Sequence, residues 1–114
     1  MTLIATGAGG LWRKSRKIVP ASSSINAETI PITLFKGIRY VLYIQNESED
    51  VYKSIEMLTT KTSGGQVEDN IFANLGDSLN FQTKFYVSGS DVVLELTNGE
   101  LYPLTVSLNK LVTN

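Results

Sequence analysis

The side chains that carry most enzyme chemistry are missing from this chain. Its 114 residues include no histidine and no cysteine. The commonest general base, the commonest metal ligand, the thiolate nucleophile and the disulfide are therefore all excluded. A serine nucleophile has no imidazole to activate it. Carboxylates and cations remain. Asn46-Glu47-Ser48-Glu49-Asp50 puts three carboxylates in five residues, which invites a calcium reading. The ligand spacing and central glycine of a calcium loop are both absent, so the stretch reads as a solvated turn. A pair of carboxylates could perform glycoside chemistry in principle, but no two are singled out by their spacing. Gly7-Ala8-Gly9-Gly10 neither follows a strand nor opens a helix, so it fails as a phosphate cradle. No catalytic residue, no cofactor and no metal is expected, and the chain is expected not to be an enzyme.

The cluster with the chemistry of recognition is Leu11-Trp12-Arg13-Lys14-Ser15-Arg16-Lys17-Ile18-Val19, which holds the only tryptophan. Residues 1–30 carry Arg13, Lys14, Arg16 and Lys17 against Glu28, a balance of +3. Residues 31–114 carry six Lys/Arg against ten Asp/Glu, a balance of −4. Such a cluster can meet phosphates, and Trp12 can stack on a base. The acidic body and the absence of a recognisable nucleic-acid module argue against that use. Gly7, Gly9, Gly10 and Ala21-Ser22-Ser23-Ser24 surround the cluster, and no period is sustained. Residues 1–27 therefore read as an extended arm, with residues 28–114 as one domain. Two dispositions of the arm are open. Trp12 and Ile18 fold back over the body's own sheet edge, or Leu11, Trp12, Arg13, Lys14, Arg16, Lys17 and Ile18 dock on a neighbouring subunit or partner.

The elements of the body are strands. Phe35 to Gln45 is the strongest signal: Ile38, Tyr40, Leu42 and Ile44 share one face, and Arg39, Val41, Tyr43 and Gln45 the other. Thr29 to Leu34 reads as a preceding strand, at an edge because Pro31 lacks an N–H. Val51 to Thr60 follows. Its Glu56 sits among apolar neighbours and needs a partner, for which Arg39 is the candidate in a structural ion pair. Val67 to Ala73 is a weaker strand, and Leu75-Gly76-Asp77 a turn. Leu79, Phe81, Thr83, Phe85 and Val87 alternate inward. Ser88-Gly89-Ser90-Asp91 is a tight hairpin. Val92, Leu94 and Leu96 point inward with Val93 outward, and Asn98-Gly99 carries the type I′ signal. Leu104, Val106 and Leu108 form the last strand. Seven to eight short strands with regular turns and no helix predict an all-β antiparallel sandwich, jelly-roll or immunoglobulin-like, with an N-terminal arm. The expected core is Ile38, Tyr40, Leu42, Ile44, Ile55, Met57, Phe81, Phe85, Leu94, Leu96, Val106 and Leu108. Outward Val41, Tyr43 and Val93 could form an apolar patch that favours a dimer or trimer.

Three stretches carry a resemblance. Lys36-Gly37-Ile38-Arg39-Tyr40-Val41-Leu42-Tyr43-Ile44-Gln45, Tyr52-Lys53-Ser54-Ile55-Glu56-Met57-Leu58, and Leu75-Gly76 through Phe81 with Ser88 to Thr97 resemble a small β-sandwich module of tailed-bacteriophage virion proteins. The likeness runs from Thr33 to about Val112 and departs from the family after Leu58, where Thr59-Thr60-Lys61 replaces a histidine-and-aspartate turn. The resemblance implies a non-enzymatic virion component, first a capsid decoration (cement) protein whose arm docks on neighbouring subunits. The alternatives are a neck or tail protein of the same particle, or a carbohydrate-binding sandwich using Tyr43, Tyr52, Tyr86 or Tyr102. Implied partners are other virion proteins (the major capsid protein or neck and tail subunits) and further copies of the chain. No nucleic acid and no membrane is expected. No run approaches the roughly 18 apolar residues that span a bilayer, and the basic cluster follows the apolar start instead of preceding it as a secretory signal requires. A soluble product made in the host cytoplasm and carried in the virion is the expectation.

Overall fold

The computed structural model describes residues 10–113. Among them are eight strands and no helix: β1 (Gly10–Val19), β2 (Ser23–Pro31), β3 (Gly37–Asn46), β4 (Val51–Lys61), β5 (Val67–Gly76), β6 (Phe81–Ser88), β7 (Asp91–Asn98) and β8 (Leu104–Thr113). One sheet has the order β1-β8-β3-β4-β5 and the other β2-β7-β6. Every pairing is antiparallel. An immunoglobulin arrangement pairs its first two strands in one sheet. Here β1 and β2 lie in different sheets, and the nested pairing of β1 with β8 and β2 with β7 is that of a jelly roll, extended by a β3-β4-β5 meander.

β3 is the centre of the larger sheet, hydrogen-bonded to β8 and β4 on its two sides. Its alternation gives Ile38, Tyr40, Leu42 and Ile44 to the core. Ile55 and Met57 of β4 and Val106 and Leu108 of β8 extend that layer, and Phe81, Val92, Leu94 and Leu96 close over it from the smaller sheet. Phe85, expected in the core, packs against it only half-buried. Its ring lies 5.5 Å from that of Tyr40. Val19, Ala27 and Phe35 join the core from positions that carry no local signal.

Several expectations are corrected. The arm expected over residues 1–27 is not an arm in residues 10–27, which enter both sheets. Residues 1–9 of that expectation lie outside the described residues. Gly10–Val19 pairs with β8 over ten positions, Gly10 with Thr113 through Val19 with Leu104. Trp12 and Ile18 thereby become part of the chain's own sheet edge. Backbone pairing drives this, since the Arg13–Lys17 run has no amphipathic period to announce a strand. The strand expected at Thr29–Leu34 starts earlier, at Ser23, and ends at Pro31 on the edge of the smaller sheet. Val93 is buried, not outward-exposed, because β7 is the central strand of a narrow sheet. It lies between Thr29 and Tyr86 on its two neighbours. The patch of Val41, Tyr43 and Val93 does not exist, since β3 and β7 belong to opposite sheets. Asn98-Gly99 makes no type I′ turn: neither residue has positive φ, and Asn98 ends β7 as a fully buried side chain. Gly89, at φ 61, is the first residue of the expected two-residue β6–β7 hairpin, whose flanks pair Ser88 with Asp91, the geometry in which glycine leads.

Candidate functional site

Two β-bulges decide which polar groups meet. β2 faces inward at Ile25 and Ala27, but its register to β7 shifts between Asn26 and Glu28. The extra residue reverses the parity, so Glu28 turns toward the opposite sheet. There it accepts hydrogen bonds from Tyr40 Oη (2.9 Å) and from Lys110 Nζ, which lies 2.9 Å from both carboxylate oxygens. Tyr40 and Lys110 are register partners on β3 and β8, so the cluster ties the sheets together. Lys110 and Glu28 are 18% and 14% exposed, which makes this the better-shielded of the two ion pairs among the described residues. Burial, then the adjacent Glu28 carboxylate and its hydrogen bond, push the Tyr40 phenol far above its ordinary 10.0. Folded Tyr40 therefore keeps its proton where an unfolded chain loses it. This contribution is intact below about pH 10 and declines as pH rises beyond it. In urea titrations at alkaline pH, Tyr40→Phe is expected to flatten that decline while costing about 1 kcal/mol near neutrality for the lost hydrogen bond.

The second bulge lies in β5, between the pairs Glu56–Ala73 and Met57–Ile71. It leaves Phe72 on the outer face of the larger sheet, where the Arg39 guanidinium carbon stands 5.4 Å from its ring centroid. Arg39 Nη2 also lies 3.1 Å from Glu56 Oε1, the partner expected from the sequence. At 45% and 33% exposure this pair is solvated, and such pairs are worth about 0.2–1 kcal/mol. It positions side chains more than it stabilises them. The outer face around it forms a groove of about 770 Å³ running from Trp12 on β1 to Leu75 on β5. Lys14, Asn109, Arg39, Tyr43 and Glu56 line it between those ends.

The seven residues expected to bind a partner are all on β1. Successive strand residues alternate faces, so Trp12, Lys14, Arg16 and Ile18 lie on the outer face and Arg13 and Lys17 on the inner one. Leu11 pairs with Val112 through its backbone. Trp12 and Lys14 share the groove with Arg39 and Glu56, a juxtaposition that spacing alone does not give. The four tyrosines offered as stacking platforms do not converge. Tyr43 lines the groove and Tyr52 lies exposed elsewhere on the same face. Tyr86 is on the smaller sheet, with Lys84 Nζ 5.7 Å from its ring, and Tyr102 is in the β7–β8 connection. Sequence reasoning missed Glu28, Tyr40 and Lys110 as a cluster. An isolated carboxylate between Ala27 and Ile30 was the available signal, hidden because the strand read as starting at Thr29 left Glu28 at the boundary of the expected arm. Among the described residues no group of three acidic side chains could hold a metal ion.

This sandwich resembles part of a phage tailspike. The chain is similar in fold to the tailspike protein of Acinetobacter baumannii bacteriophage Fri1, a capsular polysaccharide depolymerase, with a TM-score of 0.51 and 12% identity over 97% of this chain and 19% of that one. The tailspike protein of Acinetobacter phage vB_ApiP_P1 matches at a TM-score of 0.47 and 12% identity, over 94% of this chain and 22% of that one. The chain thus spans about a fifth of the length of the structures it matches. At such identities the likeness is one of fold. No protein-family model matches the sequence, and comparison with curated proteins finds no match either.

Proposed function

We propose that this chain is a non-enzymatic structural module of a tailed-phage particle that attaches to its neighbours through the β1 edge. The observation that carries the reading is β1 itself: an edge strand with four cations and the only tryptophan, on a body whose remaining charge is negative. The three stretches that resemble virion modules support it, as does a fold shared with a tailspike segment. Capsid decoration suits a single small sandwich, and a neck or tail position suits the tailspike likeness. Catalysis finds little to work with. The groove holds one carboxylate, Glu56, already engaged by Arg39, where glycoside hydrolysis needs two facing groups. Glu68 and Asp69 are successive on β5 and so point to opposite faces.

The test is purification of particles from the source of this sequence, followed by quantitative mass spectrometry. The protein is expected in intact particles, in many copies if it decorates the shell and few if it belongs to the neck or tail. Particles free of it would overturn the reading. Release of reducing ends from capsular polysaccharide by the purified chain would overturn its non-enzymatic part.

A second reading, saccharide binding, is favoured by one observation: Trp12 and Tyr43 share a groove with the planar polar groups of Arg39, Glu56 and Asn109. Aromatic faces stack on sugar rings while such groups bond hydroxyls. A glycan array that lights up for the wild type and dims for Trp12→Ala would support it. A blank array at millimolar sugar would remove it.

A further inference from the structure

We propose that copies of this chain join head to tail through the two edges of the larger sheet, β1 of one copy lying against β5 of the next. This rests on β1 being the attachment edge and names what it attaches to. The strand order leaves β1 and β5 hydrogen-bonded on one side only among the described residues. Open edges of this length are templates for pairing with another chain. The charges choose the pairing. β1 carries Arg13, Lys14, Arg16 and Lys17 and no acid; β5 carries Glu68 and Asp69 and no base. A two-fold contact of β1 with β1, or of β5 with β5, would set like charges against each other. Cations on an edge ordinarily protect it from pairing; here they block the two self-pairings and leave the heterologous one open.

Direction and facing agree with this choice. Four successive antiparallel pairings separate β1 from β5, so the two edges run parallel, and copies related by an axis along the strands would bring them together in parallel. Glu68 pairs with Thr60, and Asp69 with the buried Thr59. Glu68 is therefore on the outer face with Lys14 and Arg16, and Asp69 on the inner face with Arg13 and Lys17. Both acids sit near the start of β5, as Arg13 and Lys14 sit near the start of β1. The apolar groups match as well. Ile18 on β1 and Leu75 on β5 are among the most exposed large apolar side chains, Phe72 on β5 is exposed as well, and all three flank the proposed seam on the outer face. A heterologous contact of this kind closes into a ring or runs on as a filament.

The experiment is light scattering coupled to size exclusion on the full chain at about 0.1 mM, above the micromolar affinity of weak interfaces. The wild type is expected at a multiple of 12.5 kDa in low salt and at smaller mass in about 1 M salt, where charge is screened within a few ångströms. Reversing one edge, by Arg13→Glu, Lys14→Glu, Arg16→Glu and Lys17→Glu together or by Glu68→Lys with Asp69→Lys, is expected to give a chain that is folded by circular dichroism and monomeric by light scattering. Reversing both edges in one chain restores the wild-type mass, and mixing the two single-edge variants gives a complex neither forms alone. A monomeric wild type in low salt overturns the proposal. So does an oligomer whose mass ignores salt or survives either single-edge reversal. Particle purification is independent of this readout: a protein found in particles but monomeric in solution loses the edge pairing and keeps the virion reading.

Discussion

Asn98→Ala is expected to lower the unfolding free energy by about 3 kcal/mol, the cost of leaving several buried polar groups unpaired. Asn98 is fully buried where the two sheets meet the β1–β2 and β7–β8 connections. Its Nδ2 donates to the carbonyls of Val19 (3.1 Å), Pro20 (3.2 Å) and Tyr102 (2.9 Å). Its Oδ1 accepts from the Glu100 N–H at 2.8 Å. One amide thus holds the end of β1, the start of the next turn and the approach to β8. Alanine deletes all of these at once and leaves the buried Val19 carbonyl and the part-buried Pro20 and Tyr102 carbonyls without this donor. Asn98→Asp separates polarity from shape. It keeps the volume but aims a carboxylate at three carbonyl oxygens, so burial and repulsion would raise its folded pKa. A group with a raised folded pKa is least harmful when protonated. The loss is therefore expected to be largest above the raised folded pKa, to shrink as the pH falls from there toward the ordinary carboxylate value, and to level off below it. Urea unfolding of both variants at acidic and neutral pH measures this. Equal stability of Asn98→Ala and wild type would mean that the buried amide is not structural.

Gly76→Ala is expected to cost about 2–4 kcal/mol, and Gly65→Ala much less, although both residues have positive φ. Gly76 ends β5 at φ 103 and Gly65 lies in the β4–β5 loop at φ 77. The difference is space. A Cβ on Gly76 would overlap the Tyr52 carbonyl oxygen and stand 3.0 Å from Lys53 Cα, both backbone atoms of the partner strand; one on Gly65 meets nothing within 4 Å. The approach at Gly76 is fixed from both sides. The Tyr52 N–H donates to Asp77 Oδ2 and the Asp77 N–H to the Tyr52 carbonyl, each at 2.8 Å. Alanine at Gly76 must therefore separate β4 from the end of β5 or break this reciprocal pair. Denaturation midpoints of the two variants give the comparison, and equal losses would show that backbone strain alone, without the clash, sets the cost.

The candidate site was legible in its parts and not in its assembly. Trp12, Lys14, Arg39, Tyr43 and Glu56 could each be singled out by type. Arg39 and Glu56 could be paired because a carboxylate among apolar neighbours needs a charged partner, and Arg39 lies on the mixed face of the preceding strand. That Trp12 shares a groove with them follows from β1 pairing with the last strand, a contact between the two ends of the described chain. A basic, glycine-flanked segment without alternation reads as linker, because edge strands are held by the backbone ladder and need no hydrophobic period to form.

The sequence by itself determined the all-β class and the strands from β3 onward. It also determined most of the core, because period-two alternation is a local property that a half-buried strand must show. Only the tertiary structure decided which sheet each strand joins, that β1 and β5 are the edges, and that Asn98 is a buried knot instead of a turn. It also decided that one extra residue in β2 turns Glu28 inward to Tyr40 and Lys110, while another in β5 turns Phe72 outward to Arg39. A bulge shifts the parity of everything beyond it, and what fixes its position is the partner strand, which lies far away in sequence.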